Sequence, residues 1–330
     1  MKKLLGWAVG LALLAWLVAQ LPLGSLPQAL ARIGWGTWLA ACAALVLSYG
    51  LRAARMQVVL ARRMGLWWPR RAAWRLMLLY NGAIVLLPFR SGELAFPWLA
   101  GRELGVPAAT AVAAWVWMRV QDLAVLALLA VLAWPGFDAA LRVGLVAVWL
   151  VGVALLAPVS RAVLARLPAF TGLPADGAPA SGGWRRKLVG AIDKLRLALE
   201  DRAHHHPLAW VYTVLNWTVK MGGGMALVAA AAGIGWEPAW AGMVGVEIVS
   251  ILPVQGPAGF GTFEAGVHAG VAWLGGLGAA TPAGVILAAL VWHMTLLAGA
   301  VGGAVLCGWR GLAGGAAADA ASDAGRGAPR

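Results

Sequence analysis

Apolar segments of about twenty residues or more recur along the chain and constrain its fold more than any other feature. They lie near residues 4–20, 37–60, 76–99, 108–133, 140–158, 208–232, 239–275 and 283–307. About 20 apolar residues are needed for an α-helix to cross the ~30 Å hydrocarbon core of a bilayer. The recurrence is typical of an integral membrane protein. We therefore predict an all-α polytopic membrane protein.

The charges support a membrane protein rather than a nucleic-acid-binding one. The formal net charge is +13, yet only 12% of the residues are charged and 62% are hydrophobic. Lys and Arg cluster at the ends of the apolar segments, which favours contact with a membrane surface. Cys42 and Cys307 each fall inside an apolar segment, where an isolated thiol behaves as a small hydrophobic group. Neither a disulfide nor a metal site is predicted.

The polar stretches divide the chain into membrane halves, a linker and a tail. We predict a first membrane half over 1–158, a cytoplasmic linker over 159–207, a second half over 208–307 and a disordered tail over 308–330. Residues 1–20 begin with two lysines and continue as an apolar run, but no A-x-A cleavage site follows. The first segment is either a retained helix or a cleaved signal peptide.

The second part of the linker has the pattern of an amphipathic helix over 184–202. Its apolar residues recur at steps of three and four, namely Trp184, Leu188, Ile192, Leu195 and Leu199. Such a helix lies on the membrane face, or it is a solvated connector that does not touch lipid. Three consecutive histidines follow at 204–206, and they point in different directions on a helix. An interfacial polar cluster therefore explains them better than a metal site.

The distribution of Lys and Arg predicts which segments cross the membrane. Short loops rich in these residues face the cytoplasm, and the basic regions are 61–75 and the linker. Both fall on one side only if 76–99 enters and leaves from the same face. The same argument applies to 239–275, which "LPVQGPAGFG" interrupts. We predict six spanning helices, two re-entrant broken-helix hairpins, and both termini in the cytoplasm.

The two interrupted segments resemble each other. "NGAIVLLPFRSGELA" at 81–95 and "EIVSILPVQGPAGFGTFEAG" at 247–266 each place a polar residue before Leu-Pro, then small residues, then a glutamate. Because the two segments enter from opposite faces, a true similarity makes them an inverted repeat. Unwound backbone is tolerated at membrane depth only beside protein or water, and such breaks line transporter sites near the midplane. A central cavity is therefore predicted.

Seven charged residues lie inside or close to apolar segments: Arg90, Glu93, Arg119, Asp122, Lys220, Glu247 and Glu264. Each costs about 2.5–3.5 kcal/mol at a helix centre, so they must pair or face water. Arg119 and Asp122 are three residues apart on one helix and can pair directly. The set forms either structural ion pairs or a polar path with a headgroup site. Guanidinium and ammonium groups in a cavity suit a phosphate-bearing ligand.

The motif search yields no enzyme signature. HExxH, GxSxG, a P-loop and paired CxxC motifs do not occur, and "GFGTFEAG" at 259–266 fits a tight turn better than a nucleotide loop. No cofactor and no catalytic residue are predicted. The expected partners are membrane lipids, with no nucleic acid.

With these motifs, the sequence resembles the flippase-like family related to the transmembrane region of lysylphosphatidylglycerol synthase. The residues that carry the resemblance, in chain order, are Asn81, Leu87, Pro88, Arg90, Gly92, Glu93, Arg119, Asp122, Leu252, Pro253, Pro257, Gly259, Gly261 and Glu264. Four positions depart from the family pattern: Phe96, Met118, Gly256 and Ala258. The resemblance implies an inner-membrane protein that moves lipids between leaflets or takes part in modifying them.

Three hypotheses follow. In a lipid translocase, Arg90, Arg119 and Lys220 would receive an anionic headgroup, while the carboxylates Glu93, Asp122, Glu247 and Glu264 pair with them or carry a proton. In a membrane subunit of a lipid-modifying pathway, Glu93 or Glu264 would act as a general base. In a scaffold, the basic linker would recruit a lipid-biosynthesis enzyme.

Overall fold

The computed structural model describes residues 23–65, 68–134, 136–166, 192–250, 256–275 and 281–326. Within these ranges, the side chains of 62, 63, 88–90, 202, 203, 274, 275 and 309–326 are outside the description. Four predictions fall outside the described residues: the first helix, the linker over 167–191, Pro253, and the side-chain contacts of Pro88 and Arg90.

Helices make up all of the regular structure in the described residues, which confirms the all-α prediction. They are α1 Leu26–Arg32, α2 Trp35–Met64, α3 Arg70–Leu86, α4 Ala95–Leu104, α5 Ala108–Ala133, α6 Ala139–Arg166, α7 at 192–199, α8 Pro207–Ala232, α9 Trp236–Ser250, α10 Thr262–Gly270 and α11 Pro282–Arg326. Short 3-10 turns lie at Leu23–Ser25, Pro88–Leu94, Arg202–His205 and Pro257–Gly259, and a π turn lies at Val271–Gly275.

Four helices are long and apolar enough to cross a membrane. The candidate spans are Trp35–Ala61, Ala108–Ala133, Ala139–Arg166 and Pro282–Gly308. The chain is thus a multi-pass membrane protein. Helix α8 has 26 residues, but Asn216 and Lys220 lower its hydropathy, because polar groups interrupt the apolar run. The count of six spanning helices stays a prediction.

Both interrupted segments form pairs of short helices. On either side of the turn Pro88–Leu94, α3 has 17 residues and α4 has 10, while α9 and α10 on either side of the second break have 15 and 9. Each is shorter than the ~20 residues that a perpendicular span requires. In each half, a broken pair lies between two longer helices, α2 and α5 in the first half and α8 and α11 in the second. Re-entry and an inverted repeat remain predictions.

Helices α2 and α8 pack along each other and join the two halves. Gly223 on α8 faces Ala41 and Ala44 of α2, and a Cβ atom at Gly223 would lie 2.8 Å from the Ala44 Cβ atom. Small residues let helices approach closely in lipid, where the hydrophobic effect between helices is absent. The buried Ser48 hydroxyl on α2 also donates to the Asn216 Oδ1 atom on α8 at 2.7 Å. This close contact fixes the polar residues of α2 opposite those of α8.

Two helix ends differ from the sequence predictions. Helix α6 continues through Pro158 to Arg166, past the predicted boundary at 158. A proline inside an apolar membrane helix is tolerated, because neighbouring groups re-satisfy the freed backbone. Helix α11 runs to Arg326, where we predicted a disordered tail from 308. The tail is rich in alanine, which has the highest helix propensity.

Candidate functional site

A polar cavity of about 370 Å³ lies between the two halves. Helices α2, α3, α5, α8, α9 and α10 and the turn Pro88–Leu94 contribute to its wall. Six residues predicted from the sequence line it: Asn81, Glu93, Arg119, Asp122, Lys220 and Glu247. The structure therefore brings together predicted residues that are up to 166 positions apart in the sequence (81 to 247).

Asp122 is held by an arginine that the sequence prediction did not include. The buried Arg55 on α2 donates through Nη1 to Asp122 Oδ1 at 2.6 Å and through Nη2 to Oδ2 at 3.3 Å. Trp217 Nε1 donates to the same Oδ1 atom at 2.9 Å. The predicted partner Arg119 lies farther away, with Nη1 at 3.8 Å from Oδ2. A bidentate guanidinium pair is the stronger arrangement, so Arg55 is the principal partner of Asp122.

Arg119 connects α5 to the first break. Its Nη2 atom lies 3.2 Å from Glu93 Oε1 in the turn Pro88–Leu94 and 3.2 Å from the Tyr80 hydroxyl oxygen on α3. The turn is closely packed on α3, because a Cβ atom at Gly92 would overlap the carbonyl group of Ala83. Gly92 thus places the neighbouring Glu93 carboxylate over the cavity.

Lys220 and Glu247 form a second ion pair at the cavity wall. Lys220 Nζ on α8 donates to Glu247 Oε1 on α9 at 2.6 Å. The same ammonium group lies 4.6 Å from the centroid of the Trp217 ring, within the range of a cation–π interaction. The pair therefore joins two consecutive helices of the second half, close to Trp217, which also donates to Asp122.

Arg52 differs from the other cations of the cavity. Its Nη1 atom donates to the neutral Asn81 Oδ1 atom at 2.7 Å, and in the described part of the chain no carboxylate lies within 4 Å of it. Asn81 Nδ2 is a buried donor that has no acceptor among the described residues. Among the side chains that the structure describes, four cations, Arg52, Arg55, Arg119 and Lys220, face three carboxylates, Glu93, Asp122 and Glu247. The cluster therefore carries one positive charge in excess.

Glu264 does not line this cavity, although we predicted that it would. Its side chain is fully buried, and its Oε2 atom accepts from the Gly261 N–H group at 2.8 Å. Oε2 thus caps the first turn of α10. The Oε1 atom lies 2.6 Å from Nδ1 of His293 on α11. Gly259 and Gly261 have φ of +87° and +77°, and they shape the loop that leads to this helix.

A second cavity of about 140 Å³ adjoins the first. Four residues, Ile84, Val246, Ser250 and Phe263, line both cavities. The second cavity ends on Gly256, Ala258, Gly259 and His293. The second cavity therefore extends from the first towards the second break, and Ser250 is the polar residue among the four that line both cavities.

The histidines at 204–206 join the linker to the membrane helices. His204 Nε2 lies 2.8 Å from the Ala198 carbonyl oxygen of α7, and the ring of His205 contacts Trp117 of α5 edge-on. Burial, and to a smaller extent His204 and Arg161, lowers the pKa of His205 to about 4, so it is neutral at physiological pH. Within the described ranges, no three His, Cys, Asp or Glu residues are placed to hold a metal ion.

Comparison with known proteins gives one match. A family model described as "Lysylphosphatidylglycerol synthase TM region" covers residues 3–302 of the chain. No curated protein and no solved structure matches the chain. The matched range contains both broken helix pairs and every residue of the polar cavity.

Proposed function

The chain belongs to the lysylphosphatidylglycerol synthase TM region family, and from this premise we propose that it is a lipid translocase. It would move an anionic, phosphate-bearing lipid between the leaflets of the inner membrane, with both termini in the cytoplasm. The observation that carries the proposal is the excess positive charge at Arg52, inside a cavity that both halves line.

The chemistry of the cavity favours a phosphate group. Arg52 has no carboxylate partner within 4 Å in the described part of the chain, and a guanidinium group binds phosphate oxygens with two parallel hydrogen bonds. The free Nδ2 group of Asn81 supplies another donor beside it. The cavity volume of about 370 Å³ falls within the range of small-ligand sites and suits a headgroup rather than a whole lipid.

The position of the cavity supports transport. Wall residues come from α2, α3 and α5 on one side and from α8, α9 and α10 on the other. A rocking motion of one half against the other is a recurring transport mechanism around a fixed central site. We infer that the headgroup binds beside Arg52 and Asn81. Meanwhile, the partners in each of the ion pairs Glu93–Arg119 and Lys220–Glu247 neutralise each other's charges.

We propose no catalytic role for Glu93 or Glu264, the two glutamates that could serve as a general base. Glu264 is fully buried against Gly261 and His293, and Glu93 is paired with Arg119. A general base must reach the proton that it removes, and both of these carboxylates are already engaged. Membrane lipids are the proposed partners.

Replacing Arg52 by glutamine is expected to slow translocation of an anionic lipid about 10- to 100-fold. The loss corresponds to a hydrogen bond to a charged group, about 1.5–3 kcal/mol. The measurement is the rate at which a labelled phosphatidylglycerol crosses to the other leaflet of proteoliposomes that contain the full chain. Arg102→Gln is the matched control, because Arg102 is an exposed arginine on α4 outside the cavity.

Two results would contradict the proposal. If proteoliposomes with wild-type protein move the lipid no faster than protein-free vesicles, the chain is not a translocase for this lipid class. If Arg52→Gln and Arg102→Gln slow transport equally, the cavity charge does not recognise the headgroup. Comparison with a labelled phosphatidylcholine shows whether the effect of Arg52→Gln depends on the charge of the lipid.

A further inference from the structure

The far end of the second cavity contains a buried acid–base pair that the proposed transport site does not use. Glu264 is 0% exposed and His293 is 4% exposed. Glu264 Oε1 lies 2.6 Å from His293 Nδ1, and His293 Nε2 lies 3.1 Å from the carbonyl oxygen of Ala258. The rings of Phe260 and Phe263 pack against the imidazole, with centroid distances of 4.9 and 4.3 Å. Water is therefore largely replaced by protein around the pair.

Counting donors and acceptors fixes the number of protons that this geometry requires. Nε2 faces a carbonyl oxygen, which only accepts, so Nε2 must carry a hydrogen. The Gly261 N–H group donates to Glu264 Oε2, so that carboxylate oxygen acts as an acceptor. The short contact between Oε1 and Nδ1 then needs a second hydrogen, on one atom or the other. Together, the two side chains hold one proton more than an ionised glutamate beside a neutral histidine.

We propose that the Glu264–His293 pair is a proton-binding site, which holds one proton while the loop 256–261 is in place and releases it when the loop moves away. Without that proton, either Nδ1 or Nε2 presents a lone pair to an acceptor, Glu264 or Ala258. A buried contact between two acceptors is unfavourable. Deprotonation therefore weakens either the contact of Glu264 with His293, which joins α10 to α11, or the hydrogen bond from His293 to Ala258 in the loop.

The loop is under backbone strain that this proton helps to offset. Ala258 has φ +52° and ψ +16°, and it is the residue whose carbonyl group faces His293. A non-glycine residue in this left-handed region is strained, because its Cβ atom crowds the following carbonyl oxygen. Losing the hydrogen bond to His293 leaves that strain uncompensated. Because Ala258 and Gly259 line the second cavity, movement of the loop changes the wall next to the proposed headgroup site.

Other titratable groups near the pair are already engaged or lie farther along a helix. Glu247 on α9 and Lys220 on α8 bind each other at 2.6 Å. His268 lies one turn further along α10 and is half-buried. Helix α3 contributes Ile84 and Leu87 to the second cavity, and in the described part of the chain His293 is the one titratable residue that lines it. The pair is therefore the group whose protonation the loop responds to.

Hydrogen exchange of the loop amides tests this inference without any lipid. The full chain in detergent micelles is labelled between pH 5 and 9, and rates are corrected for the intrinsic pH dependence of exchange. In the wild type, we expect protection of residues 256–261 to fall at least tenfold as the pH rises. In Glu264→Gln, the carboxamide can accept from Gly261 and donate to a neutral His293, so protection is expected to stay constant.

The controls separate loss of the proton from loss of the fold. Amides of α8 should keep the same protection in both proteins across the pH range. If Glu264→Gln does not fold, His293→Gln replaces it, and its loop protection is expected to be independent of pH because the side chain that faces the Ala258 carbonyl oxygen no longer titrates. A pH-independent loop in the wild type overturns the inference. The same pH profile in the wild type and in the folded variant also overturns it.

Discussion

Replacing Asp122 by alanine is expected to lower the free energy of unfolding by about 3–5 kcal/mol, since it removes the partner of a buried charge. Arg55 is 4% exposed and donates to both carboxylate oxygens of Asp122. Without the carboxylate, Arg55 keeps one neutral acceptor, the Thr213 hydroxyl oxygen at 2.9 Å. Trp217 Nε1 also loses its acceptor. The variant therefore leaves a charge and a donor unpaired between α2, α5 and α8.

The measurement is denaturant-induced unfolding of the full chain in mixed micelles. Asp138→Ala is the control for loss of an aspartate, because Asp138 is exposed and its carboxylate accepts from the Leu141 N–H group at 2.8 Å near the start of α6. The double variant Arg55→Met, Asp122→Leu removes both charges and is expected to recover much of the loss, since an apolar replacement of a buried pair is often neutral. Equal stabilities of Asp122→Ala and Asp138→Ala would contradict the central position of the Arg55–Asp122 pair.

The sequence predicted much of the polar cavity because charge inside an apolar segment has few stable placements. Such a residue must pair or face water, so seven charged residues on several segments were expected at one site. Five of them line one cavity: Glu93, Arg119, Asp122, Lys220 and Glu247. The breaks at Pro88 and near Gly256 were predicted for a similar reason, because proline and clustered glycines interrupt apolar helices. These arguments depend on residue type and need no knowledge of the neighbours.

Arg52 and Arg55 were missed, although both lie inside the predicted apolar segment 37–60. Their signal was available, since an arginine within a span is as costly as Arg119. What the sequence could not show is their partners. Asp122 has two arginines within 4 Å, and the close approach of α2 to α8 and α5 decides in favour of Arg55. Pairing between distant segments depends on packing, which periodicity along one helix does not reveal.

Glu264 and His293 are a second pair whose contact could not be predicted, because it depends on the packing of distant segments. The predicted polar site included Glu264, but the tight loop before α10 turns its carboxylate back onto Gly261 and towards α11. His293 is a single histidine in a long apolar helix, a pattern that in most proteins is structural. Only the fold brings these two residues together, because they lie 29 positions apart on helices that pack side by side.

Replacing Gly92 by alanine is expected to destabilise the protein by about 3 kcal/mol or more, because the new methyl group would overlap backbone atoms. A Cβ atom at Gly92 meets the carbonyl group of Ala83 and the amide nitrogen of Ile84, both in α3. Overpacking usually costs 1–3 kcal/mol, and here no flexible side chain can move aside. Relief requires the turn Pro88–Leu94 to separate from α3. That movement would also draw Glu93 away from Arg119.

The matched control is Gly152→Ala on α6, where no described atom beyond the neighbouring backbone of the same helix lies within 4 Å of the added methyl group. Alanine favours a helix over glycine by roughly 0.5–1 kcal/mol, so this variant is expected to be as stable as the wild type or slightly more stable. Both variants are compared by denaturant unfolding in mixed micelles. Opposite signs of the two effects indicate that the first break is a closely packed hairpin. If Gly92→Ala is as stable as Gly152→Ala, the turn does not rest on α3, and Glu93 is not held over the cavity by it.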